Sequence, residues 1–101
     1  MTVRVGFLGA GFIATFHSKM LKGAADAGFD VEWAGVHDPD PAKVASFSAA
    51  SGAPVCDTED ELLDRSDAVF VCTWTAEHPR LVDAVVRRGR PVFAEKPPAT
   101  D

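Results

Sequence analysis

Two features of this sequence could act on a phosphorylated ligand. The first is Gly9-Ala10-Gly11-Phe12-Ile13-Ala14, which matches G-x-G-x-x-G/A. Gly9 permits a tight turn, Gly11 lets the backbone approach a pyrophosphate with no Cβ in the way, and Ala14 adds only one methyl where a helix must pass close to a strand. The backbone N–H groups of Phe12 and Ile13 then face the phosphates, helped by the positive end of the helix dipole. The second feature is Asp38, placed where a carboxylate can accept both hydroxyl protons of an adenosine ribose. A 2′-phosphate there would meet an anion, at a cost on the order of 4 kcal/mol per charge pair near a protein surface. Pro39-Asp40-Pro41 supplies no arginine or lysine to offset that cost, and Lys43 is the neighbouring cation that could swing in. The pattern therefore favours NAD over NADP.

These residues need elements to hold them. Val3 to Leu8 is a short apolar run suited to a buried strand, and after the glycines Ile13, His17, Met20, Leu21 and Ala24 recur at helical spacing. His17 shares that apolar face, which predicts a satisfied and mostly buried histidine. Val31 to His37 reads as a second strand. Asp40 has the form of an N-cap before Pro41, and Gly52 of a C-terminal stop. Val55-Cys56 is a minimal third strand, and Thr58-Glu59-Asp60-Glu61 fits a capping box for a helix through Leu62 and Leu63. Ala68 to Thr73 is the most continuous apolar run, as expected at the centre of a parallel sheet. A helix from about Pro79 carries Leu81, Val82 and Val85 on one face, with Arg87 and Arg88 opposing its dipole and Gly89 closing it. Pro91 to Ala94 is the last strand.

Five strands alternating with four helices make successive βαβ units, so the fold class is α/β: a doubly wound parallel sheet with strand order 3-2-1-4-5. Residues 1–101 read as one nucleotide-binding domain, incomplete at its C-terminal end. Nothing covers the apolar strand at Pro91–Ala94, and an exposed edge is a liability. A downstream domain or a second copy of the chain is expected to cover it.

Composition excludes several classes of partner. The net charge of −5 argues against nucleic acid and anionic membranes, and no basic stripe overrides it. No apolar run approaches the ~18–20 residues of a membrane span, and the N-terminus does not read as a signal peptide. Cys56 and Cys72 stand in apolar stretches without a C-x-x-C pattern, as reduced core residues of a cytoplasmic protein. His17, His37 and His78 lack the spacing of metal ligands.

Three segments, Val3–Lys22, Asp67–His78 and Gly89–Pro97, resemble the glucose-fructose oxidoreductase/inositol dehydrogenase/rhizopine catabolism (Gfo/Idh/MocA) family, in the family's order. Glu95-Lys96-Pro97 at the end of a strand is the most specific of these matches. The resemblance implies the N-terminal Rossmann domain of an NAD(P)-dependent oxidoreductase. Such an enzyme transfers hydride between nicotinamide and a sugar, polyol or inositol-like secondary alcohol or ketone. Carried over by position, Glu95 and Lys96 are the family's E-K pair. Lys96 lies beside nicotinamide and substrate hydroxyl, where a compact cation stabilises a developing alkoxide. Thr73-Trp74-Thr75 matches the cofactor-contacting loop, although proline is frequent where Trp74 stands. His78 matches a histidine at the start of the next helix, with a structural role beside the cofactor. The family's general acid/base comes from a second, sheet-containing domain, so the 101 residues alone should bind dinucleotide weakly and turn over nothing. Two other classes keep the same motifs: a non-catalytic dinucleotide-binding module, and a methyltransferase-type β/α domain, against which the E-K-P ending argues.

Overall fold

The alternation of apolar runs and helical patterns resolves into a βα series in the computed structural model, which describes residues 1–73 and 76–94, with Phe12 described through its backbone alone. The elements are β1 (Val3–Leu8), α1 (Phe12–Asp26), β2 (Val31–His37), α2 (Pro41–Ser51), α3 (Glu59–Arg65), β3 (Ala68–Val71), α4 (His78–Arg87) and β4 (Val92–Ala94). The strands of the described residues form one parallel sheet in the order β2-β1-β3-β4.

The expected third strand is not formed. Val55 makes a single parallel bridge to Val36, through Val36 N–H to Pro54 O and Cys56 N–H to Val36 O, both 2.9 Å. Pro54 has no N–H to donate and Thr58 already caps α3, so the ladder has no room to lengthen. The sheet therefore has four strands where the sequence led to five, and the expected order 3-2-1-4-5 becomes 2-1-3-4. β3 ends at Val71 rather than Thr73, although Cys72 N–H still donates to Leu8 O at 2.7 Å.

Strand periodicity sends alternate side chains to two cores. Phe7 of β1 packs with Ala14, Val36, Val44 and Phe47 under α1 and α2, its ring 5.1 Å from Phe47 and stacked on Phe70 at 5.3 Å. Leu8, the next residue, joins Leu62, Leu63, Val69, Leu81 and Val85 under α3 and α4. Each of the valine, leucine and phenylalanine side chains contributes about 1.5–3 kcal/mol by leaving water. Both cysteines are reduced thiols buried in these cores.

Helix ends follow their residue types. Asp40 Oδ1 accepts from Ala42 N–H at 3.0 Å and Lys43 N–H at 3.4 Å, Pro41 opens α2, and Gly52 closes it at φ 80°. Thr58 Oγ1 accepts from Glu61 N–H at 3.0 Å, while Glu61 reaches back to Asp57 N–H, also at 3.0 Å. Arg88, at the C-cap of α4, also bonds Asp60 and Asp64 and so straps α4 to α3.

One departure reflects packing that a hydrophobic pattern does not encode. His17 is mostly buried, as expected, its ring stacked on Phe70 at 4.8 Å, but Met20 of the same expected face is 60% exposed. The buried face of α1 runs instead through Ala14 and Ser18, whose Oγ accepts from Trp33 Nε1–H at 2.9 Å. On the other face, α3 lies so close that a Cβ at Gly6 would stand 2.2 Å from Ser66 Oγ, and one at Gly35 2.5 Å from Cys56 Sγ. β4 is the outer strand, with Phe93 51% exposed. Among the described residues no helix is long and apolar enough to cross a membrane.

Candidate functional site

Chain order reverses between β1 and β3, because β2 lies on one side of β1 and β3 on the other. Loops leaving the carboxyl ends of neighbouring parallel strands diverge at such a point and leave a crevice. Here a cleft of about 580 Å³ opens there, within the range of small-molecule sites. Gly9, Gly11, Asp38, Lys43, Thr73 and Arg80 are among its lining residues. The structure thus brings together the glycine turn after β1, the acid after β2 and the loop after β3.

The two glycines have different reasons to be there. Gly9 has φ 102°, and a Cβ on it would lie 2.8 Å from Cys72 O and 3.0 Å from Thr73 Cγ2. The fold itself demands glycine at that position. Gly11 has φ −85°, and a Cβ on it would meet nothing within 4 Å among the described residues. No contact with them requires glycine there, so its missing side chain leaves open space on their side of the cleft. Gly11 is also the N-cap of α1, where no side chain caps the helix and no acid occupies the first turn. The first N–H groups of α1, those of Phe12 and Ile13 among them, are left for an external acceptor. The Ile13 side chain packs against the core.

Asp38 is half-buried and does not cap α2, a task performed by Asp40. Its Oδ2 accepts from Ala10 N–H at 2.9 Å and its Oδ1 from Asp40 N–H at 2.8 Å. Each oxygen keeps a further lone pair. Thr73 lines the cleft with a buried Oγ1 that has no hydrogen-bond partner among the described residues. His78, the first residue of α4, does not line the cleft; its Nδ1 lies 2.6 Å from Thr73 O. A carbonyl only accepts, so Nδ1 carries the proton and the ring fixes the loop that presents Thr73. Trp74, Glu95 and Lys96 lie outside the described residues.

A sequence model of the oxidoreductase family with an NAD-binding Rossmann fold, Gfo/Idh/MocA, matches residues 3–101. The chain belongs to this family. The inositol 2-dehydrogenase of Cereibacter sphaeroides is 36% identical to it over 100% of this chain and 30% of that protein. The inositol 2-dehydrogenase of Rhizobium meliloti is 39% identical over 96% of this chain and 28% of its own length. This chain therefore spans about 30% of the length of these relatives. Among solved structures, the WlbA dehydrogenase from Bordetella pertussis in complex with NADH and UDP-GlcNAcA aligns with a TM-score of 0.83 at 28% identity, over 100% of this chain and 31% of that one.

In this Gfo/Idh/MocA domain part of the cleft lining is one that motif reading missed. His37, Glu59, Glu77, Arg80 and Leu81 all line the cleft. Arg80 donates through both terminal nitrogens to Glu59, at 3.1 and 2.7 Å, and through Nε to Glu77. The Arg80 guanidinium holds the Glu59 carboxyl below its ordinary range. The signal was available: Arg80 sits one turn into the helix that follows a cofactor-type loop, with acids at position 77 and in the first turn of α3.

Proposed function

We propose that this chain is the NAD-binding part of a dehydrogenase that moves hydride between nicotinamide and the secondary alcohol carbon, or ketone, of a sugar, polyol or inositol-like substrate. Gly11 carries the reading. A position with no internal need for glycine, at an uncapped helix start in a cleft at the strand-order reversal, fits a pyrophosphate approaching the backbone. The phosphates would take the first N–H groups of α1, the spare lone pairs of Asp38 would take the ribose hydroxyls, and the buried Thr73 hydroxyl would gain a partner. The same carboxylate is placed to repel a 2′-phosphate, which favours NAD over NADP.

The nicotinamide ring, when bound, supplies the hydride acceptor or donor. Lys96 would hold a positive charge beside the substrate hydroxyl and stabilise the alkoxide as the C–H bond breaks. An orienting cation is not a proton relay. The general acid/base and most substrate contacts would come from a further sheet-containing domain, which together with a second copy is a candidate cover for β4.

The experiment is a thermal-shift comparison on the 101-residue chain. NADH should raise the melting temperature and S-adenosylmethionine should not; the reverse would assign a methyltransferase-type domain instead. The chain should not reduce NAD with any of a panel of polyols. In a two-domain protein carrying this sequence, Lys96→Ala should cut turnover far more than cofactor affinity. Equal losses in both would favour a binding module without chemistry.

A further inference from the structure

Arg80 lines the same cleft as Asp38 and Lys43, and its hydrogen-bonding edge is already committed. Three of its five N–H groups are donated to Glu59 and Glu77. One positive charge is thus held between two negative ones, so the trio as a whole is anionic. The Glu59 pair is bidentate and joins α3 to α4, which immobilises a side chain that would otherwise sample many rotamers. Leu81 and Pro39 add apolar surface to the same lining. Among the described lining residues there is no phenylalanine, tyrosine or tryptophan to receive an aromatic ring.

We propose that Arg80 is a specificity-determining residue of this cleft: it offers the face of a planar, charge-quenched guanidinium to an adenine ring, while Glu59 and Glu77 prevent it from serving as a phosphate ligand. The proposal rests on the dinucleotide reading above. A guanidinium stacks on a flat ring through its face, which edge-on ion pairs leave available. A phosphate needs the N–H edge, and it would have to displace a carboxylate to reach it. The trio therefore acts with Asp38: the Asp38 carboxylate rejects a 2′-phosphate by direct charge, and the trio withholds the Arg80 edge that would welcome it, which leaves Lys43 as the cation of the cleft lining able to approach one.

The test titrates the chain with ADP-ribose and with its 2′-phosphate, which probe the adenosine half without involving substrate or nicotinamide. Arg80→Met and Arg80→Lys should both weaken ADP-ribose by about threefold to tenfold, since lysine keeps the charge but not the plane. Glu59→Gln should shift the affinity ratio toward the 2′-phosphorylated ligand by about threefold or more, by freeing part of the guanidinium edge. Circular dichroism confirms that each variant is folded. Retention of wild-type affinity by Arg80→Met, full rescue by Arg80→Lys, or an unchanged ratio in Glu59→Gln would overturn the proposal. A wild-type chain that binds neither ligand would instead sink the dinucleotide reading on which it stands.

Discussion

The Asp38 carboxylate accepts a hydrogen bond from the backbone N–H of Ala10 at 2.9 Å, joining the end of β2 to the centre of the glycine turn. One residue therefore both shapes the turn and stands where a ribose diol would be read. Its substitutions should separate the two roles. Asp38→Asn keeps an acceptor for Ala10, and urea unfolding should find it within about 1 kcal/mol of wild type. Asp38→Ala leaves that N–H without its partner and should cost about 1–3 kcal/mol. Calorimetric titration should show both losing NADH affinity, with Asp38→Asn also losing its discrimination against NADPH.

Gly9 and Gly11 should part company in the same assays. Gly9→Ala forces a Cβ into a residue at φ 102° and to within 2.8 Å of Cys72 O, and should destabilise by about 1–3 kcal/mol. Gly11→Ala meets no atom of the described residues within 4 Å. It should cost about 1 kcal/mol or less, the ordinary penalty of alanine at an N-cap, while weakening NADH at least about tenfold, since a methyl would occupy the approach of the pyrophosphate. A Gly11→Ala chain that binds NADH normally would refute the assignment of that space.

Burial pushes the Cys56 thiol above its ordinary value of 9.0. Cys56 is 2% exposed, and the folded state favours its neutral form. The contribution to stability is fully present below pH 9.0 and is lost as pH rises through the higher folded value. The chain has no tyrosine to mask the effect. Denaturation midpoints measured from pH 7 upward should fall less steeply for Cys56→Ala than for wild type; parallel slopes would contradict this origin.

Glu59 gives the opposite sign. Its carboxyl is held below the ordinary value of 4.5, first by the hydrogen bond from Arg80. The stabilisation is present above pH 4.5 and is lost as pH falls through the lower folded value. Because the pair is partly exposed, it is worth at most about 1 kcal/mol. Acid unfolding of Glu59→Gln, followed by circular dichroism, should show a shallower loss of stability below pH 4.5.

Much of this architecture was legible in the residues themselves. The β1 run, the Asp40-Pro41 start and Gly52 stop of α2, and the Thr58–Glu61 reciprocal cap are local, and the structure forms each of them. The strand at Val55-Cys56 failed because strand formation depends on a partner and on length, and Pro54 and Thr58 allowed neither. Met20 was misjudged because helical spacing names an apolar face without saying which part of it a neighbour covers.

The sequence by itself determined most of the elements, the glycine turn, the acid after the second strand and the family. These depend on residue type and on neighbours a few positions away. Only the tertiary structure decided that Gly11 opens onto empty space while Gly9 abuts Cys72, that Asp38 bonds Ala10 across 28 positions, and that Arg80 is held by Glu59 across 21. Those relations join segments that meet only once the parallel strands are in register, and contact between distant segments follows from packing, not from spacing along the chain.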